Sequence, residues 1–254
     1  PITHADRLLS SRTRKYDDPE VVQLLKTAEE RADVLKGESA GQFVIPAKQV
    51  ARIKGLSFWL KKEYDRAVQA YDTGLPRDLI QADSSDVGLL LGRAACHLAL
   101  CKFDENGKLD PATLKHAKAA LPDAKRALEV AMAASERASA QYHLAEAHLR
   151  MLLGGEDQIG HVNEFVKCIR EAVRLTPQGA NAVAYRLYGG RLVTSMASLL
   201  AGANRDATDA ILEEAQGWLK EALDLQPDAS KKKEISQILQ VIDAKLSAPP
   251  APVE

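Results

Sequence analysis

The chain has 254 residues, 46% of them hydrophobic and 27% charged, and Lys+Arg 34 against Asp+Glu 35 leaves a formal net charge of -1. That is length enough for one large or two small domains with a continuous core, and the charge balance disfavours bulk electrostatic capture of nucleic acid or of an anionic membrane. With 40 Ala and 33 Leu but only 15 Gly, 11 Pro and 4 Phe, the mixture is rich in helix formers and poor in strand formers, which excludes an all-β fold.

In chain order, residues 2–15 are a short segment in which Arg7, Arg12, Arg14 and Lys15 outnumber Asp6. A run of that kind reads as a solvated helix face. Asp17-Asp18-Pro19-Glu20 is a helix start, with Val21, Leu24, Leu25, Ala28, Ala32 and Leu35 on one stripe as far as Gly37. Residues 1–47 are therefore expected to form an N-terminal helical cap and linker. Helical periodicity resumes at 48 and runs with short breaks to Leu246, and the Pro-rich 248–254 is expected to be disordered or extended. Cys96, Cys101 and Cys168 are odd in number and lie in apolar-periodic stretches, which predicts reduced core thiols and a cytoplasmic setting. The most apolar stretch, 88–101, is interrupted by Arg93 and His97 and is too short to span about 30 Å of hydrocarbon.

Self-similarity is the most informative feature. Residues 48–81 place Gly55, Phe58, Tyr64, Ala67, Tyr71 and Gly74 within GLSFWLKKEYDRAVQAYDTGL. Small residues at such intervals let two antiparallel helices approach, and the aromatics fill the space between them. This unit resembles a tetratricopeptide repeat (TPR), which wants small residues at positions 8, 20 and 27, a large one at 11 and aromatics at 17 and 24. Counting from Lys48 fits all of them.

Three further units resemble the pattern: Gly92 with Ala124, Leu128 and Ala131; Ala145 with Phe165, Ile169, Ala172 and Pro177; Gly189 with Ala215, Leu219, Ala222 and Pro227. The step from position 8 to position 20 is 12 residues in the first unit and 32, 20 and 26 in the others. Split between two antiparallel helices, the two smaller excesses lengthen each by about one or two turns and keep the packed face. The largest includes Asp104 to Asp110 and Pro111, a loop and a new helix start, and Pro122 is expected to mark a second start or a kink. The repeats are placed at 48–81, 85–134, 138–178 and 182–228. Residues 229–247 follow as a capping helix with Ile235, Ile238, Leu239, Ile242 and Leu246 on its inner stripe and Lys231, Lys232 and Lys233 at its solvated start. The expected fold is all-α, a TPR-like right-handed helical-hairpin solenoid of about four repeats with N-terminal helices and a C-terminal cap.

Common nucleotide, zinc-protease and hydrolase signatures are absent from the sequence. His97 and Cys101 share a helix face at i,i+4, but no second ligand pair with zinc spacing accompanies them. His143 and His148 are i,i+5 and fall on different faces, with His148 at a core position. Asp104-Glu105-Asn106-Gly107 has neither the glycine offset nor the twelfth-position acid of a calcium loop. Tyr64, Tyr71, Phe165 and Trp218 stand at repeat packing positions. We therefore expect no enzyme activity, cofactor or metal.

The resemblance implies that first helices line a concave groove through positions 2, 5, 9, 12 and 13. These are Gln49, Arg52, Leu56, Trp59 and Leu60; Asp86, Leu89, Arg93, Cys96 and His97; Ser139, Tyr142, Glu146, Leu149 and Arg150; and Val183, Arg186, Gly190, Val193 and Thr194. The candidate peptide site is Arg52, Trp59, Arg93, His97, Tyr142, Glu146, Arg150 and Arg186, since guanidiniums hold carboxylates bidentately and aromatics anchor apolar side chains. The competing reading pairs the arginines with Asp86 and Glu146 inside the groove. The chaperone-binding branch of the family uses Lys and Asn in a carboxylate clamp, and no Asn stands at those positions here. The expected function is a non-catalytic scaffold that grips a partner's peptide, acidic or ending in its C-terminal carboxylate. The alternative is a self-associating homodimer, which an exposed strip on Val193, Met196, Leu199 and Leu200 would favour; RNA binding ranks third.

Overall fold

The computed structural model describes residues 47–247, except 106, 180 and 202–204, together with Gln23, Lys26, Thr27 and Glu30. Those four isolated positions are helical; the remainder of the predicted N-terminal cap and the Pro-rich 248–254 lie outside the described residues. The fold is all-α. Among the described residues the only β pairing is a single bridge between Phe103 and Leu109. Two compact units divide the chain, Pro1–His161 and Val162–Glu254.

The first continuous described stretch of the first unit starts with α1 (Ala47–Leu60) and α2 (Tyr64–Asp72), antiparallel and joined at Lys62, whose φ of 60° makes the reversal. Alanine and glycine set their separation. A Cβ on Gly74 would lie 2.5 Å from that of Ala51, and one on Gly55 would lie 2.5 Å from the Tyr71 ring. Tyr71 also receives the next helix, because a Cβ on Gly92 would fall 2.5 Å from its Cζ. Two 3₁₀ turns carry the chain onward, Leu79–Gln81 capped by Asp78 and Ser84–Asp86 capped by Asp83.

α3 (Val87–Leu100) and α4 (Leu114–Val130) form the next antiparallel pair. Their connection is pinned by the Phe103–Leu109 bridge and by Asp110, which caps a 3₁₀ turn at Pro111–Thr113 ahead of α4. The predicted loop and new start are therefore present. Of the two expectations for Pro122, a second start or a kink, the start is excluded, because α4 runs through it. Tertiary burial of Ala117, Ala120, Asp123, Ala124 and Ala127 along one side of the helix outweighs the one backbone bond that proline removes. α5 (Ala134–Leu153) packs on α4, with Gly154 against Leu114, and α6 (Gln158–Arg174) begins in this unit. A core of Ala51, Ala67, Tyr71, Leu89, Leu90, Cys96, Ala127 and Ala140 runs through the unit, and a smaller cluster of Cys101, Leu109, Ala117 and Met151 closes its far end.

The second unit holds the rest of α6 with α7 (Ala182–Ala201), α8 (Arg205–Asp224) and α9 (Ala229–Ser247), α7 packing on α8 and α9 on both. Gly189 admits both Ile169 and Trp218, and Gly190 admits Leu219. Arg170 bridges α6 to α8 through two bonds to Glu214, at 2.7 and 2.6 Å. Asp228 caps α9 by accepting from Lys231 N–H, and Ile235 and Ile242 are its buried anchors. Phe165 and Trp218 are buried packing residues, as Tyr71 is in the first unit, and all three cysteines are buried thiols.

Candidate functional site

Residues 48, 49 and 52 fall on one side of α1, and the 3₁₀ turn before α3 brings Ser85, Gly88 and Leu89 opposite them. Together Lys48, Gln49, Arg52, Ser85, Gly88 and Leu89 line a cleft of about 330 Å³. Gln49, Arg52 and Leu89 are three of the residues the repeat register assigns to the groove. The Arg52 guanidinium lies beside Gly88, 3.5–3.6 Å from where a Cβ would stand, an ordinary contact distance. Lys48 Nζ is 2.8 Å from Asp86 Oδ1, donates to Ser85 Oγ at 3.0 Å, and lies 3.7 Å from Asp83. The bond to Asp86 raises the Lys48 pKa, and bonds from the Ser85 hydroxyl and N–H lower that of Asp83. The cleft thus combines the Arg52 guanidinium, an amide, a hydroxyl and a Lys48 ammonium already paired with Asp86 and Asp83, beside Leu89, an arrangement that suits a polar ligand group with a carboxylate for Arg52.

Most of the other candidate residues have partners within the fold. Arg93 is 15% exposed and lies between α2 and α4, not in the α1–α3 cleft. It donates through Nε and Nη2 to both oxygens of Asp123, at 2.8 and 2.6 Å, and through Nη1 to Asp72 at 2.5 Å. Glu146 and Arg150 form an i,i+4 ion pair; Arg150 Nε also donates to Leu98 O at 3.3 Å, and its guanidinium stands 5.9 Å from the Phe103 ring centroid. Arg186, in the second unit, is only 5% exposed and donates to Glu221 and to the Thr176 and Ala182 carbonyls. Trp59 is 39% exposed on α1. Tyr142 packs edge-on to His143, and His97 faces His116. Asp86 meets Lys48 rather than an arginine.

Sequence reasoning missed Lys48 and Ser85 in the cleft, and Asp72, Asp123 and Glu221 as arginine partners. Asp123 did leave a signal. It is a carboxylate amid the alanines 117, 120, 124 and 127 of α4, and a charge on a buried stripe demands a counter-charge. Of the strip that would favour self-association, Val193 and Met196 are buried; the side chains of Leu199 and Leu200 lie outside the described residues. Among the described residues no three of His, Cys, Asp and Glu are grouped to hold a metal, and no helix is long and apolar enough to cross a membrane.

Burial holds the pKa values of His97, His116 and His143 below their usual 6.5. His143 Nδ1 donates to Ser139 O at 2.7 Å, which leaves Nε2 as the site that stays unprotonated. Because the folded-state values are depressed, the stability these groups contribute is complete above pH 6.5 and is lost as pH falls through the folded values. Each proton is worth at most about 1.4 kcal/mol per pH unit. Calorimetry should therefore show a falling thermal midpoint between about pH 7 and about pH 5, before most carboxylates titrate; a flat midpoint over that window would contradict the assignment.

Compared with family models, curated proteins and solved structures, the chain matches none.

Proposed function

We propose that the chain is a non-catalytic interaction module, a TPR-like solenoid of about four helical hairpins that binds an acidic peptide segment of a partner protein. The α1–α3 cleft carries this reading, because Gln49, Arg52 and Leu89, three of the residues the TPR resemblance assigns to the groove, line it with Lys48 beside them. Further support comes from the glycine–aromatic packing of α1, α2 and α3 around Tyr71 and of α7 and α8 around Trp218. A preorganised cleft leaves most of the ordering cost with the ligand. Arg52 would hold a carboxylate of the peptide, and Gln49 would accept or donate to its backbone.

The test is fluorescence anisotropy on a panel of peptides ending in Asp or Glu, alongside amidated and neutral versions. Loss of one charged hydrogen bond is worth about 1.5–3 kcal/mol, so Arg52→Gln should weaken acidic-peptide binding about 10- to 100-fold. Arg52→Lys should retain part of it, and helicity should be unchanged in both. If the wild type shows no preference for acidic peptides, or if Arg52→Gln binds them equally well, the cleft is not the peptide site.

A further inference from the structure

Residues 47–62, which make up α1 and the start of its turn, carry Lys48, Arg52, Lys54, Lys61 and Lys62 and no acidic residue, in a chain whose formal net charge is -1. The same helix presents an aromatic ring to solvent. Trp59 is 39% exposed, whereas Trp218, the other tryptophan of the chain, is buried. Positions 49, 52, 56 and 59 follow one another at i, i+3, i+7 and i+10 and so share one side of α1, while Val50, Ala51 and Ile53 on the other side are buried. Gln49, Arg52 and Trp59 are exposed along the shared side, and Leu56 is half-buried. The row starts in the cleft, at Gln49 and Arg52, and ends outside it on an apolar ring.

We propose that this side of α1 reads a linear motif in the partner, a large apolar side chain three residues before a terminal acidic residue, with the acid held at Arg52 and the apolar group seated on Trp59 and Leu56. The inference rests on the α1–α3 cleft being the acidic-peptide site. Helical rise fixes the spacing. Trp59 stands seven residues beyond Arg52, about 10.5 Å along the helix axis, and three residues of extended or polyproline-like peptide span about 9–10 Å. In the polyproline form, side chains three residues apart also point the same way, so one short peptide reaches both groups.

Charge selects the sign of the partner. Even with Lys48 paired to Asp86, α1 and its turn remain basic, and a ligand of opposite sign is favoured at close range. The single exposed ring selects a peptide over a single-stranded nucleic acid. Successive bases need successive stacking faces, and the neighbouring Phe58 is half-buried with the Arg66 guanidinium 4.2 Å from its ring centroid. Trp59 therefore offers one apolar seat, which one Leu or Phe side chain fills.

The test uses the full chain and short Gly/Ser peptides ending in Asp, each with one Leu placed two, three, four or five residues before the end, or with none. Fluorescence anisotropy should show the tightest binding with Leu at three, about tenfold tighter than the Leu-free peptide. Trp59→Ala should remove that gain and leave the Leu-free peptide bound as by the wild type, Trp59→Phe should keep most of it, and Arg52→Gln should weaken every peptide. In a Trp218→Phe background the emission of Trp59 should shift to the blue with the Leu-at-three peptide and stay put with the Leu-free one; circular dichroism checks that each variant is folded. Acidic peptides bound through Arg52 without regard to Leu, a preference for another spacing, or a Leu gain that survives Trp59→Ala would overturn this inference and leave the cleft as the peptide site. Absence of any acidic-peptide binding, or displacement of the peptide by equimolar oligo(dT), would overturn both.

Discussion

Arg93→Met should lower the unfolding free energy by about 3–5 kcal/mol, one of the two largest single-residue effects expected in this chain. The cost arises from what is left behind. Asp123 is 2% exposed, and its two oxygens take the Nε and Nη2 hydrogens of Arg93. Without that guanidinium a carboxylate remains buried on the alanine stripe of α4. Asp72 is half in solvent and contributes little to the sum. Arg93→Met/Asp123→Leu should therefore recover much of the loss, because replacing a buried pair by apolar groups of similar volume is often neutral. Urea denaturation of the two single variants and the double variant measures the coupling; a single variant as stable as the wild type would refute the role given to the pair. Substituting Arg93 consequently cannot test ligand binding, since any function lost would follow from the loosened α2–α3–α4 packing.

Tyr71→Ala should cost a similar amount, about 3–5 kcal/mol, by opening a cavity at the junction of three helices. Its ring is 4% exposed and fills the space above Gly55 on α1 and Gly92 on α3. The reciprocal change is informative. Gly92→Ala in the wild type places a Cβ 2.5 Å from Tyr71 Cζ, and overpacking of that kind costs about 1–3 kcal/mol. In the Tyr71→Ala background the clash is gone, so Gly92→Ala should become close to neutral or stabilising. Additive free energies in that cycle would show that Tyr71 and Gly92 do not share one packing site.

The cleft and the pairings differ in how well they could be read from sequence. Gln49 and Arg52 could be placed on one side of α1 by counting within the first repeat-like unit, which keeps all six landmark positions in one uninterrupted 34-residue span; Leu89, which lines the same cleft, was counted in the second unit, ahead of its long insertion. Arg93 followed the same counting and was assigned to the groove. The fold instead turns it toward α2 and α4, where Asp72 and Asp123 hold it at sequence separations of 21 and 30. His97 likewise meets a residue 19 positions away rather than Cys101 one turn on. The second helix start expected at Pro122 is missing for a related reason. Proline's propensity is a local cost, and the burial that outweighs it comes from other helices.

The amino-acid sequence by itself determined the all-helical class, the inward stripes and the close-approach glycines, because each depends on periodicity within about two turns of chain and on the volume of single side chains. Only the tertiary structure decided which arginines meet carboxylates, which histidines meet each other, and where an open cleft remains. Those outcomes depend on the relative register of antiparallel helices, set by loops of unequal length. An offset of one residue turns a helical side chain by about 100° and replaces one neighbour with another.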